Sequence, residues 1–179
     1  MTTVTYRPLA IDDAAELAAM HLQALRETYA AQMPESFFAA VDLTALADTW
    51  RAAPSVGTDV TLALLDTAIV GFVASGEGHG PALPQMGEVY DIYVLARAQR
   101  RGIGRRLMAH AAKALAARGL TAAGLWVVED NAPARRFYEA LQGRPFKTRV
   151  DSMAGRTLRG IAYGWEVLAV LTYALETLT

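Results

Sequence analysis

The 179-residue chain contains no cysteine. That excludes a disulfide framework, a thiolate metal site and a cysteine nucleophile, and it fits a reducing compartment. An excess of either charge is also missing. Seventeen Lys and Arg against 18 Asp and Glu leave a formal net charge of −1, too little to attract nucleic acid or an anionic membrane globally. Three scattered histidines, His21, His79 and His110, form no metal-ligand pattern, so no metal is expected. The serines Ser36, Ser55, Ser75 and Ser152 stand outside any G-x-S-x-G elbow, which removes support for hydrolase chemistry. The most apolar stretch, Val167 to Leu175, is too short to span a bilayer. The N-terminus soon meets Asp12 and Asp13 and lacks the basic start and apolar run of a signal peptide. A cytoplasmic location, with no membrane and no nucleic acid as partner, is the expectation.

What the chain does have is enough apolar material for a real core: 53% hydrophobic residues with 20% charged describe a globular protein. Its length suits one domain over residues 1–179, and no internal repeat or low-complexity tract divides it. Thr3 to Arg7 alternates as a strand, after which Asp13-Ala-Ala-Glu16 reads as a capping box opening a helix. Ala14, Leu17, Ala18, His21, Ala24 and Leu25 share one face of that helix. A second helix is predicted over Asp42 to Trp50. Val60 to Leu65 and Ile69 to Ala74, split by Asp66-Thr67, predict a hairpin. Gly76 to Pro81 and Pro84 to Gly87 form a loop before a strand over Glu88 to Leu95. A helix follows over Ile103 to Ala117, with Ile103, Leu107, Ala111 and Leu115 on its apolar stripe. A strand lies within Leu120 to Val128, and a helix opens at Asn131-Ala-Pro133 and stops at Gly143. Phe146 to Val150 and Leu158 to Trp165 are strands around an Ala154-Gly155 turn, and a closing helix runs over Glu166 to Leu178. Strand, helix and strand across 88–128 form a parallel, right-handed unit.

The most specific local feature is Gln99-Arg-Arg-Gly-Ile-Gly104, with Arg97, Arg105 and Arg106 close by. Glycine costs about 1 kcal/mol relative to alanine inside a helix, so two glycines at a helix start answer some demand for bare backbone. The first N–H groups of a helix have no intrahelical partner, and a strand running into such a start makes an anion site. Gly102 and Gly104 lack the Cβ atoms that would hold a phosphate away. The arginines add local positive charge. The spacing satisfies neither the P-loop nor the dinucleotide fingerprint.

It does match the Gln/Arg-x-x-Gly-x-Gly/Ala signature of the GCN5-related N-acetyltransferases. Ile92-Tyr93-Val94 resembles that family's preceding strand, and Asn131, Ala134, Phe137 and Tyr138 with Gly143 resemble its later motif. The two motifs stand in register across 88–143, and weaker likeness in Thr28-Tyr29, Pro34, Trp50 and Ala162 to Trp165 extends to both ends. The resemblance implies a mixed α/β fold: a mostly antiparallel, twisted sheet of about seven strands with a parallel, splayed central pair, flanked by helices. It implies acetyl-CoA as co-substrate. The coenzyme's pyrophosphate would lie on the backbone of Arg100, Arg101, Gly102, Ile103 and Gly104, beside Gln99, and its pantetheine arm would lie in the split along Ile92, Tyr93 and Val94. Val94 would offer its amide to the thioester carbonyl, and Asn131 and Ala134 would face the pantetheine. Gly143 departs from the family pattern by preceding Arg144 rather than phenylalanine, which leaves the register of the last strands open.

The implied activity is transfer of the acetyl group to a primary amine by direct attack in a ternary complex, since no cysteine exists to carry it. An amine with a pKa of about 10.4 is protonated near pH 7, so a base is required. Glu88 is the candidate, with Asp91 its competitor. Simple alternation puts the two on opposite faces of the strand unless a bulge intervenes. Tyr138 is the candidate acid for the leaving thiolate, although it also suits the core, and Asn131 doubles as a helix cap. His21 is a core histidine by its place on an apolar face, with the acceptor pocket as the alternative. The rival to an enzyme is a non-catalytic acyl-CoA-binding or sensor module of the same fold. The acceptor amine, small molecule or protein, is left open, and the apolar closing segment around Leu168, Val170, Leu171 and Leu175 makes a homodimer partner a candidate.

Overall fold

The structure is a computed structural model that describes residues 3–79, 86–153 and 155–176. Six helices flank one seven-stranded sheet among these residues. In chain order they are β1 (Val4–Pro8), α1 (Ala14–Tyr29), α2 (Glu35–Ala39), α3 (Leu43–Ala52), β2 (Asp59–Leu65), β3 (Ala68–Glu77), β4 (Gly87–Val94), α4 (Ile103–Ala117), β5 (Ala123–Val128), α5 (Ala132–Ala140), β6 (Arg144–Met153), β7 (Arg156–Trp165) and α6 (Ala169–Glu176). The sheet order is β1-β2-β3-β4-β5-β7-β6, antiparallel except for β4 beside β5. None of the helices is long and apolar enough to cross a membrane.

Two apolar layers sandwich the sheet. On one face α4 buries Ile103, Leu107, Ala111 and Leu115, the stripe read from its spacing, against Val89, Leu125 and Val127. On the other, α1 and α3 bury Leu17, Ala18 and Trp50 against Leu62, Phe72 and Leu95. β3 lies between them and is buried along almost its whole length, as a central strand covered on both faces must be. Asp42 caps α3 as its sequence position suggests, accepting from the N–H groups of Thr44 and Ala45.

Some expectations change. Asp13 does not cap α1: its carboxylate is taken by the Arg7 guanidinium and by the Ala10 N–H, closing the short turn before the helix. Glu16 reaches across to accept the Ile69 N–H at 2.8 Å, so the apparent capping box is spent on tertiary contacts. The short helix α2 has too few residues to show periodicity. β6 begins directly at Arg144, and its register against β7 shifts between Pro145 and Lys147. Phe146 is the extra residue of this bulge and lies over Gly164. Leu168 and Leu171 are buried in the chain's own core. Pro81, Pro84, Ala154 and Leu178 lie outside the described residues.

Gly143 is fixed by packing. A Cβ there would stand 2.7 Å from Trp165 Cζ2 and 2.9 Å from the Tyr138 carbonyl oxygen, where the Trp165 indole already donates to the Leu141 carbonyl. Gly143→Ala should therefore lower the unfolding free energy by about 1–3 kcal/mol, whereas Gly119→Ala, with open space at its Cβ position, should cost only its left-handed backbone strain. Urea denaturation of both variants checks the difference.

Candidate functional site

β4 and β5 pair at only two positions, Gly87 with Ala123 and Glu88 with Gly124. Beyond them β4 stays with β3 as far as Val94, while β5 stays with β7 as far as Val128. The two strands diverge, and the gap opens a cleft of about 860 Å³ through the sheet.

The backbone of β4 supplies unpaired groups to this gap. Leu95 N–H bonds the Val70 carbonyl, so by the alternation of an antiparallel ladder Val94 turns its N–H and C=O the other way, toward β5. The Val94 carbonyl accepts from Gln99 Nε2 at 2.9 Å, which ties the start of the signature to the strand end. Arg100 (φ 62°) and Gly102 (φ 77°) are both left-handed, and Gly102 caps α4. These dihedrals bend the chain sharply into the helix. A Cβ on Gly102 would meet nothing within 4 Å, but one on Gly104 would come within 3.1 Å of the Phe137 ring. The two glycines thus have different reasons: Gly102 satisfies the turn and leaves its outer side open, and Gly104 lets α5 pack against α4.

Gln99, Arg100, Gly102, Ile103 and Gly104 line one end of the cleft, and Ile92, Tyr93 and Val94 line its β4 wall. Asn131, Ala134 and Tyr138 face them from the α5 side. Asn131 also performs the capping role, its Oδ1 accepting the Ala134 N–H at 3.2 Å. Arg101 is exposed and does not line the cleft, whereas Arg105, one turn into α4, does.

A bulge sets which of the two carboxylates lines the cleft. Val89 stands opposite Ser75 and Asp91 opposite Ala74, leaving Tyr90 as the extra residue. Val89 and Ile92 consequently share the α4 face, and Tyr90 and Tyr93 pack on the α1 side. Glu88 and Asp91 therefore fall on the same face of β4, contrary to simple alternation. Only Asp91 lines the cleft. Glu88 is turned to His79, accepting its N–H at 2.8 Å, with the imidazole Nδ1 at 3.4 Å.

Burial pushes the Asp91 carboxyl up to about 6 from its ordinary 3.8, because no cation stands by to favour its charge. Tyr138 is almost fully buried, between the rings of Phe137, Tyr163 and Trp165. Its hydroxyl is held protonated well above the ordinary tyrosine value, first by desolvation and then by Tyr29 and Asp91. Tyr93 is raised in the same way, by burial and then by Tyr29.

Not every expected residue belongs here. His21 sits outside the cleft, in a box of Trp50, Phe72 and Tyr93. Burial lowers it to about 4, so it is neutral at pH 7. Sequence reasoning in turn missed Glu27 and Trp126 as wall residues. Glu27 lies at the exposed end of α1 and carries no motif; Trp126 looks like core because its neighbours Leu125 and Val127 are core. Among the described residues no group of three or more His, Asp or Glu is placed to hold a metal ion.

The family model described as acetyltransferase (GNAT) matches residues 22–143. An uncharacterized N-acetyltransferase of Bacillus subtilis, YuaI, is 29% identical over 97% of this chain and 99% of its own length. Among solved structures, an N-acetyltransferase of Staphylococcus aureus superposes with a TM-score of 0.76 at 16% identity, covering 93% of this chain and 99% of the other. The PaiA N-acetyltransferase of Thermoplasma acidophilum, in complex with coenzyme A, superposes with a TM-score of 0.70 at 18% identity, covering 91% and 99%. At such identities the superpositions speak for the fold. With its splayed strands, its signature at the cleft mouth and a family match across most of its length, the chain belongs to the acetyltransferase (GNAT) family.

Proposed function

We propose that this protein transfers the acetyl group of acetyl-CoA to a primary amine by direct attack within a ternary complex. The observation that carries the reading is the meeting, in one cleft, of a glycine-led helix start with a half-buried carboxylate and a buried phenol. The first amides of α4 and the nearby Arg100 and Arg105 suit the coenzyme's diphosphate. The sheet split suits its extended pantetheine arm, with the Val94 N–H toward the acyl carbonyl, where negative charge grows during attack. The neighbour from Thermoplasma acidophilum, solved with coenzyme A on the same fold, is consistent with this.

In this reading Asp91, rather than Glu88, takes the proton that an ammonium must lose before it can attack. The amine nitrogen bonds to the acyl carbon, the carbon–sulfur bond breaks, and the second amine proton balances the thiolate through Tyr138. Asp91, with a pKa near neutrality, accepts at pH 7 and returns its proton to solvent. Tyr138 stays protonated throughout the physiological range, as a donor must. Juxtaposing amine and thioester accounts for the larger share of the rate, as much as about 7–11 kcal/mol of barrier. Glu88 instead braces the backbone at His79. Arg101, Asn131 and Ala134 are retained as coenzyme contacts, the first through its backbone. A single domain, in the cytoplasm, belongs to the same proposal.

Two measurements test it. Gly102→Ala should cost about 1–2 kcal/mol of stability through its left-handed φ and should abolish acetyl-CoA binding by calorimetry; unchanged affinity contradicts the cradle. For Asp91, kcat/KM should rise with pH through about 6, and Asp91→Asn should remove that limb and lower kcat by about 10²–10⁴-fold. The linkage has a definite sign. The folded-state pKa lies above the unfolded one, so charging Asp91 costs stability in full above about pH 6 and not at all below about 3.8. Asp91→Asn should hence gain on the order of 1–3 kcal/mol at pH 7, and the gain should vanish below about pH 4. An unaltered acid limb in the variant sinks the assignment.

A further inference from the structure

The cleft is electrically polarised. Its cations, Arg100, Arg105 and Arg136, belong to the turn before α4, the first turn of α4 and the middle of α5. Its carboxylates, Asp91 and Glu27, belong to β4 and the last turn of α1, on the face of the sheet that α1 covers. Glu27 is already committed: Oε2 accepts the Ala96 N–H at 2.7 Å and Oε1 accepts from Gln23 Nε2 at 2.9 Å. Among the described residues nothing donates to Asp91, which leaves it as the one uncommitted anion of this half.

Four aromatic residues, Tyr29, Tyr90, Tyr93 and Trp126, also line the cleft, the last from β5 on the other side of the gap. Trp126 is held by a specific device. Arg149 of β6 crosses β7 above Gly160, whose Cβ would lie 3.3 Å from Arg149 Cγ and 3.4 Å from Trp126 Cε3, and sets its guanidinium 4.2 Å over the indole. The same arginine donates from Nε to Asp151 at 2.6 Å. Its charge is therefore balanced outside the cleft, and it serves to back the Trp126 wall.

Resting on the acetyltransferase reading above, we propose that the acceptor is a primary monoamine on a flat or slender apolar body that bears no carboxylate. The single free carboxylate receives the reacting ammonium. The rings receive the body and favour its cationic end. A carboxylate beside the amine would have to be desolvated among tyrosines with no cation on that side. A second ammonium would have only Glu27, whose two oxygens already accept the Gln23 and Ala96 N–H groups. Polar sites reject ligands that leave a charge unpartnered far more strongly than they reject a missing methylene.

The test uses the full chain with acetyl-CoA, following thiol release with phenethylamine, phenylalanine and putrescine. These share a primary amine and differ by a carboxylate or a second charge. Phenethylamine should exceed each of the others in kcat/KM by about tenfold or more, a ratio equivalent to about 1.4 kcal/mol. Equal or higher kcat/KM for phenylalanine or putrescine overturns the proposal. Thiol release with none of the three, while calorimetry records acetyl-CoA binding, also overturns it and leaves the coenzyme reading standing; loss of acetyl-CoA binding removes both. Trp126→Leu should raise KM for phenethylamine about tenfold at nearly constant kcat and acetyl-CoA affinity, as loss of uniform binding does. An unchanged KM contradicts the aromatic wall.

Discussion

The structure depends on the brevity of one strand pairing. Two residue pairs hold β4 beside β5, and after Glu88 and Gly124 each strand follows a different neighbour. A parallel pair would ordinarily continue its ladder and close the sheet. Here both strands are anchored on their outer sides, β4 by β3 and β5 by β7, so separation costs only the hydrogen bonds between them. The gap that results is open to solvent yet framed by two rigid half-sheets. Backbone groups of β4 that a ladder would have consumed are left for another partner. The left-handed Arg100 and Gly102 bend the chain into α4, whose first residues Ile103, Gly104 and Arg105 line the same opening.

A second constraint is the bulge at Tyr90. It rotates the strand so that Asp91 lines the cleft beside Tyr93 while Glu88 does not. Burial there makes the charged carboxylate costly, and the cost is what brings its proton affinity toward neutrality. Tyr138, opposite, is pressed in by Phe137 and Trp165, and those contacts are possible because Gly104 and Gly143 carry no Cβ. Packing and chemistry thus share the same residues: glycines that admit rings also set where the phenol sits.

Much of the architecture was legible in the sequence. The stripe Ile103, Leu107, Ala111 and Leu115 gave the limits of α4, the Asp66-Thr67 break gave the β2–β3 hairpin, and Asp42 and Asn131 marked two helix starts. The mouth of the cleft was legible as well, since glycine adopts the left-handed backbone of Gly102 without the strain a Cβ brings. Which of Glu88 and Asp91 lines the cleft was not. A bulge inserts one residue without any composition of its own, and a period-2 reading across Tyr90 assigns the wrong faces. The Asp13–Glu16 spacing misled for a related reason: both side chains fit a local cap, but Arg7 and the Ile69 amide, distant in sequence or in another element, compete for them and win. Trp126 escaped notice because alternate residues of one strand belong to the core and to the cleft wall.

Amide hydrogen exchange with and without acetyl-CoA reads the main-chain N–H groups of the cleft themselves. Exchange should slow at residues 92–94 and 100–105, the β4 edge of the gap and the start of α4. Protection confined to other segments, or none at saturating acetyl-CoA, would contradict coenzyme binding at this cleft.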